Sequence, residues 1–387
     1  MRTNRRSVLS ALALAPLSSS LIVGCKKKQK DTIVVGAYLS MTGSEAEFGI
    51  STRNGVQLAV DELNTRGGVL GKRFRLVVED DRGDSTEAAS AVTRLIDREG
   101  AEVIIGEVAS SLSLSGGRVA QRRRIPMVSP SSTNEDVTRV GDYIFRVCFI
   151  DPFQGSVMAR FAKELQINGQ AVQKVAIFRD EASAYSTGLA RAFRETFARL
   201  GGELVDEQSY HKGDTHFSAQ LSGMLAKQPQ AIFVPGYYTE VTLIAREARA
   251  LGYTGPFLGG DGWDSPALFR NDENKLVGSY FSEGFAPDHP TSPVGEAFVR
   301  NYRQRFGHDA NGLAALGYDA MLVAADAIRR AGQTDGPAVR AALAATQRFE
   351  GATGRISIDA QRNAIKSAVI LEVREDAFRF HRAIEAT

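Results

Sequence analysis

Ile33-Val34-Val35-Gly36-Ala37-Tyr38, an amphipathic segment over 46–65, and Phe74-Arg75-Leu76-Val77-Val78 together decide the fold. The first run is apolar and β-branched without alternation, which suits a strand covered on both faces. In the next segment Val56, Val60 and Leu63 stand at i, i+4 and i+7, one helical face, and Gly67-Gly68 follow as C-cap chemistry requires. Strand, helix and strand at this spacing predict a parallel βαβ unit, because a parallel neighbour is reached only through a long crossover.

Outward from there the alternation continues. A helix is expected near 86–99, then Glu102-Val103-Ile104-Ile105-Gly106, a helix from about 111 to 124, and Pro126-Met127-Val128-Ser129. The rhythm restarts at Lys174-Val175-Ala176-Ile177-Phe178. It runs through helices at 185–200, near 217–227 and at 239–251, separated by Glu203-Leu204-Val205 and Ala231-Ile232-Phe233-Val234 and followed by Pro256-Phe257-Leu258. Helices at 293–306 and 311–331 and strands at 355–358 and 368–371 complete the pattern. The expected fold class is α/β, with two doubly wound parallel-sheet lobes of similar size and a ligand cleft between them.

The 387 residues carry 47 Lys+Arg against 45 Asp+Glu, a net charge of +2, so neither a nucleic acid nor an acidic membrane surface is expected as partner. Residues 1–24 read as a signal peptide: Arg2, Arg5 and Arg6, an apolar stretch from Val8 to Val23, then Gly24-Cys25. Pro16 and Ser18-Ser19-Ser20 interrupt the stretch, which falls short of the roughly 20 clean apolar residues that span a bilayer. Without this leader the balance is 44 bases to 45 acids. Residues 25–32 form a polar tether through Lys26-Lys27-Lys28-Gln29-Lys30, and Cys148, the only other cysteine, reads as a buried thiol.

The motifs of catalysis are missing. The five histidines are scattered, so no metal site is expected. No G-x-S-x-G elbow or phosphate loop occurs, so neither an enzyme nor a cofactor is expected. Arg122-Arg123-Arg124 reads as a solvated helix end, and Glu79-Asp80-Asp81 with Asp84 as a turn capping the next helix. Strand ends instead carry hydroxyls and glycines: Ala109-Ser110-Ser111, Ser129-Pro130-Ser131-Ser132-Thr133 and Gly259-Gly260-Asp261-Gly262-Trp263. Hydroxyls and free N–H groups at a helix start suit an anion, and a carboxylate between glycines suits a cation. Together they suit a zwitterion.

Ser40-Met41-Thr42-Gly43, Asn64-Thr65-Arg66-Gly67-Gly68-Val69-Leu70-Gly71, Val77-Val78-Glu79-Asp80-Asp81, Ile105-Gly106, Ser129-Pro130-Ser131-Ser132-Thr133-Asn134 and Asp261-Gly262 occur in the order seen in the leucine/isoleucine/valine-binding proteins of ABC transporters. The chain resembles that family over 31–387. The resemblance implies a type I periplasmic-binding fold with a three-segment hinge, lobe 1 being 33–150 plus 286–357 and lobe 2 being 151–285 plus 358–387. It implies that Ser110 and Thr133 bind a ligand carboxylate, that the backbone at Ser131 and the Asp261 side chain take the ammonium, and that Phe48, Tyr185 and Tyr237 wall the side-chain pocket. The best-known members carry Glu where Asp261 stands. Ala109 replaces a disulfide cysteine of some members, and Trp263 beside the acid is expected to narrow the pocket.

The implied function is an extracytoplasmic receptor that captures a branched-chain or other apolar amino acid and delivers it to a membrane permease by cleft closure. A sensor of the same fold for amides, ureas or aromatic acids is the alternative. Leu21-Ile22-Val23-Gly24-Cys25 resembles a lipobox, implying lipidation of Cys25 and a periplasmic or extracellular lipoprotein; a monomer is expected. Asn4-Arg5-Arg6-Ser7-Val8-Leu9 leaves twin-arginine and ordinary export equally open.

Overall fold

The computed structural model of the protein describes residues 31–269 and 275–385. The leader, Cys25 and the lysine tether lie outside the described residues.

The chain opens with β1 (Thr32–Leu39), α1 (Ala46–Thr65), β2 (Arg73–Asp80), α2 (Ser85–Asp97), β3 (Val103–Ile105), α3 (Ser110–Arg123), β4 (Met127–Ser129), the short α4 (Asp136–Arg139) and β5 (Ile144–Arg146). These five strands form one parallel sheet in the order β2-β1-β3-β4-β5. Helix α5 (Asp151–Glu164) and the hairpin β6 (Gln166–Ile167) and β7 (Gln170–Ala171) lead to the second round. That round is β8 (Lys174–Asp180), α6 (Ala184–Arg199), β9 (Glu203–Tyr210), α7 (Ser218–Leu225), β10 (Ala231–Phe233), α8 (Tyr238–Ala250), β11 (Phe257–Gly259) and β12 (Tyr280–Glu283). Its parallel strands are ordered β9-β8-β10-β11-β12, the same permutation as the first sheet.

The remainder is divided between the lobes. Helices α9 (Pro293–Phe306), α10 (Gly312–Ala331) and α11 (Gly336–Ala344) return to the first sheet, followed by β13 (Phe349–Gly351), β14 (Gly354–Ile358) and β15 (Ala364–Ile365) in a small antiparallel sheet. Strands β16 (Ala368–Val373) and β17 (Phe378–Ile384) then extend the second sheet antiparallel beyond β12.

Local chemistry explains most element ends. Asp84 caps α2 by accepting from the Thr86 and Glu87 N–H groups, and Ser292, Asn311 and Ser183 cap α9, α10 and α6 in the same way. Arg123 forks onto Asp97 at 3.0 and 2.7 Å, which ties the end of α3 to α2. Helices α1 and α10 cross so closely that a Cβ at Gly55 would meet the Ala314 carbonyl oxygen at 1.8 Å, so only glycine fits there. Cys148 is buried, and burial pushes its thiol up to about 12.

Ile358 and Ala364 belong to the same core as Val35, Val56 and Leu316. The chain therefore stays with the first lobe through β15 and makes its last crossing after 365, not near 358. Helices α5 and α11 and strands β12 and β17 are additional to the sequence reading. Among the described residues no helix is long and apolar enough to cross a membrane.

In both sheets the strand order reverses beside the first strand of the round, and ligands in such sheets sit beyond the carboxyl ends of the strands at that point. The loops after β1, β3 and β4 face those after β8, β10 and β11.

Candidate functional site

The first-lobe wall is a knot of serines. Ser129 and Ser132 hydroxyls donate to the Glu107 carbonyl at 2.9 and 2.8 Å, Ser132 shares a 2.7 Å contact with Ser113, and Ser129 accepts from the Ser132 N–H. These bonds lock the loop after β3 to the loop after β4. Arg146, wholly buried, holds the latter from below, donating to the carbonyls of Ser132 and Asn134 at 2.5 and 2.7 Å. Thr133 sits between those two clamped carbonyls.

With their neighbours so engaged, Ser131 and Thr133 present hydroxyls that are buried and without a hydrogen-bond partner among the described residues. Ser110, the first residue of α3, accepts from the Asn134 N–H at 3.2 Å and caps nothing. Ala109, in the N-cap position, gives α3 no side-chain cap; its own N–H donates to the Glu107 carboxylate. The positive end of a 14-residue helix thus opens onto two orphaned hydroxyls and the Ser110 oxygen.

Opposite stands Asp261, in the turn after β11 and 6% exposed. Gln154 Nε2 donates to its Oδ1 at 2.8 Å, and Tyr185 accepts from the adjacent Gly262 N–H at 3.1 Å. The flanking glycines make this possible: a Cβ on Gly260 would meet the Tyr185 hydroxyl at 2.5 Å, and one on Gly262 would meet the Gly236 oxygen at 2.6 Å. Tyr185 and Tyr237 stack at 5.3 Å with planes 10° apart, and Phe48 from the first lobe stands edge-on to Tyr237 at 5.4 Å and to Tyr238 at 5.0 Å. Burial raises Asp261 to about 6, against the pull of the Gln154 amide and the neighbouring Tyr185 hydroxyl.

Two polar residues of the site were missed from sequence. Asp151 begins α5, is wholly buried, and neither of its oxygens has a hydrogen-bond partner among the described residues. Burial pushes it up to about 8; the Thr133 hydroxyl, beside it but outside hydrogen-bond geometry, and Arg146 draw it back, while Asp261 adds to the rise. Gln154 lies one turn further along α5, and its Oε1 is also orphaned. An Asp and a Gln at i and i+3 on a helix start were the available signal, but Asp in a first turn is ordinarily read as complement to the dipole.

Ring contacts join Phe48, Tyr237 and Tyr185, Tyr185 meets the Asp261 turn through the Gly262 N–H, and Ser110 meets the Ser131–Asn134 loop through the Asn134 N–H. Trp263 corrects the reading: its indole N–H donates to the Val234 carbonyl at 3.0 Å, and its ring packs beside Gly259 and Phe281 in the second-lobe core. It supports the Asp261 turn from behind, because the turn after β11 sends the Asp261 and Trp263 side chains in opposite directions.

The lobes meet beside these residues. Asn134 Nδ2 donates to the Ala184 carbonyl at 2.7 Å, Ala184 N–H to Ser111 Oγ at 3.2 Å, and Arg191 pairs with Glu135 at 3.0 Å. On the other flank the Tyr238 hydroxyl donates to the Ser44 carbonyl at 2.6 Å. No group of three His, Cys, Asp or Glu residues is placed to hold a metal ion among the described residues.

Comparison with known proteins agrees with this fold. The family profile described as "periplasmic binding protein" matches residues 32–377. A leucine binding protein LivK from Thermotoga maritima superposes with a TM-score of 0.86 at 40% identity, covering 92% of this chain and 99% of that one. The branched-chain amino acid transporter substrate binding protein LivJ from Streptococcus pneumoniae, in complex with isoleucine, gives 0.84 at 34% identity with the same coverage. A Leu/Ile/Val-binding protein BraC3 of Rhizobium johnstonii is 28% identical over 359 residues, 92% of each chain.

Proposed function

Because the chain belongs to the periplasmic binding protein family, we propose that it is the solute receptor of an ABC transporter and that its solute is a branched-chain or similarly apolar amino acid. One observation carries the choice of an α-amino acid. Buried hydroxyls of Ser131 and Thr133 without partners among the described residues stand near a helix start, with the buried Asp151 beside Thr133 and the buried Asp261 contributed by the second lobe. A buried anion is costly without a cationic partner, and an orphaned hydroxyl costs roughly 1–3 kcal/mol, so both halves of the site are completed by a zwitterion.

In this reading the solute carboxylate lies on Ser110, Thr133 and the first turn of α3. Its ammonium lies between Asp261, Asp151 and the backbone of Ser131. Phe48, Tyr185 and Tyr237 enclose an apolar side chain, and the paired Tyr rings favour a flat or branched group. Closure about three crossings, near 150, 285 and 365, expels water and strengthens both charge-assisted contacts. No bond is made or broken, and the closed form is what a permease reads. Relatives named for leucine, isoleucine and valine support the solute class.

The test is a calorimetric titration of the 31–387 fragment, stripped of carried-over ligand by unfolding and refolding, against the twenty amino acids. Micromolar or tighter binding of a few apolar ones is expected. Silence across the panel discards amino acids and points to amides, ureas or aromatic carboxylates.

Proton release gives an independent check. In the solute-free protein burial holds Asp151 and Asp261 up at about 8 and about 6. An ammonium placed between them favours the charged forms and lowers both values, so binding expels protons and affinity rises from about pH 5 to pH 8. The same raised values mean that the solute-free fold keeps protons the unfolded chain releases near pH 4. That contribution to stability is full below about pH 4 and is lost as pH rises through about 6 and 8. The solute-induced rise in Tm therefore grows with pH. Titrations at pH 7 in two buffers of different ionisation enthalpy should give different heats, and equal heats would reject the carboxylate pair.

Family membership implies a periplasmic or extracellular location. Anchoring through a lipid on Cys25 belongs to the same proposal, supported by the Leu21-Ile22-Val23-Gly24-Cys25 sequence. Cys25→Ser should move the protein from the membrane to the soluble fraction, and continued membrane association would remove the lipid from the account.

A further inference from the structure

The turn after β9 carries one lysine across the mouth of the cleft. Lys212 Nζ stands 2.7 Å from Glu45 Oε1 and 3.3 Å from the Gly83 carbonyl, both on the first lobe. Its turn is pinned from three sides: Asp214 accepts from the His211 N–H at 2.9 Å, the Asp214 N–H donates to the His211 carbonyl at 3.0 Å, and Glu240 accepts from the Gly213 N–H at 3.0 Å. The backbone that carries the lysine is therefore fixed, and the ammonium itself is met by Glu45 and the Gly83 carbonyl.

What receives it is equally shaped. Glu45 is 3% exposed and Asp81 and Glu107 are buried behind it, so three first-lobe carboxylates lie together. Ser40 links two of them, its hydroxyl donating to Asp81 at 2.8 Å and its N–H to Glu107 at 3.0 Å. Glu45 Oε2 and Asp81 Oδ2 have no hydrogen-bond partner among the described residues. Gly83, at φ +68°, clears the approach: a Cβ there would stand 3.1 Å from Lys212 Nζ and 3.4 Å from Glu45 Oε2.

We propose that Lys212 is a positioning residue for closure, an ammonium on the second lobe that enters the Glu45–Asp81–Glu107 nest on the first and sets solute affinity without touching solute. In an open cleft Glu45 is hydrated. Closing removes that water, and a carboxylate buried without a cation opposes burial. Lys212 supplies the cation only when the lobes meet, so its interaction exists in the closed state alone and biases the equilibrium that the solute also biases.

This inference rests on the receptor reading above, and a charge exchange separates the two. L-leucine is titrated into wild type, Lys212→Glu, Glu45→Lys and the double exchange, with dissociation followed by stopped-flow fluorescence. Each single reversal should weaken binding by about tenfold or more through faster dissociation, with association little changed. The double exchange should recover affinity to within about threefold, which general damage to the fold would not allow. If Glu45→Lys does not fold, Lys212→Met replaces it: it should lose affinity, and the residual binding should be less sensitive to salt than that of wild type. Unchanged affinity in Lys212→Glu, or a double exchange as weak as the two singles combined, overturns the latch while leaving the receptor intact. Wild type that binds no member of the amino-acid panel overturns the receptor reading itself.

Discussion

Asp261→Ala is expected to reduce amino-acid affinity by about 10²–10³-fold while leaving the protein folded. Truncating one partner of a buried, hydrogen-bonded charge pair typically costs about 2–5 kcal/mol, much of it from the partner left unpaired. Here that partner is the solute ammonium, which would keep only Asp151 and a carbonyl. The fold should not suffer. Burial raises Asp261 to about 6, so the carboxylate opposes the solute-free fold at neutral pH, and its removal is neutral or mildly stabilising. Asp261→Asn keeps a group able to meet Gln154 but loses the charge, and should fall with the alanine variant. Calorimetry and thermal melts decide the matter: full affinity in either variant would remove Asp261 from the ammonium site.

Arg146→Met is expected to cost about 3–5 kcal/mol of stability and to weaken solute binding as well. The guanidinium is wholly buried and forks onto the carbonyls of Ser132 and Asn134. Methionine fills much of its volume but removes two hydrogen bonds from a charged donor, at about 1.5–3 kcal/mol each, leaving the Ser132 carbonyl only the Cys148 thiol and the Asn134 carbonyl only the Val137 N–H. Thr133 lies between them, so its hydroxyl loses its fixed position. Asp151 also loses the positive charge that draws its proton affinity down. Lysine should not restore the wild-type state, because a single ammonium cannot reproduce a planar fork. Urea denaturation read beside leucine titration checks both effects, and a variant as stable as wild type would show that the clamp is dispensable.

The two expectations differ in where they became visible. Asp261 was legible early because a lone acid among glycines at a strand end is hard to explain as core. Arg146 was not: within Ile144-Phe145-Arg146-Val147 it looks like one charge on a strand edge, and only the curl of the 131–134 loop over it shows what it holds. Asp151 and Gln154 were hidden for a related reason. Their positions suit an ordinary helix start, and their orphaned oxygens exist only because α5 packs beneath a turn more than a hundred residues further on. Trp263 shows the reverse error, since adjacency to Asp261 suggested a pocket wall while alternation around the tight turn sent the ring into the core.

The sequence by itself determined the alternation of strands and helices, the 46–65 and 293–306 helices to their end residues, and the Asp84 cap. These follow from apolar period and local hydrogen bonding, which act over a few residues. Only the tertiary structure decided which polar atoms were left without partners, that Lys212 meets Glu45 across 167 positions, and that the last crossing follows β15. Such outcomes depend on which loops two sheets bring face to face, and hydrophobic periodicity, the same for any two buried strands, carries no record of that pairing.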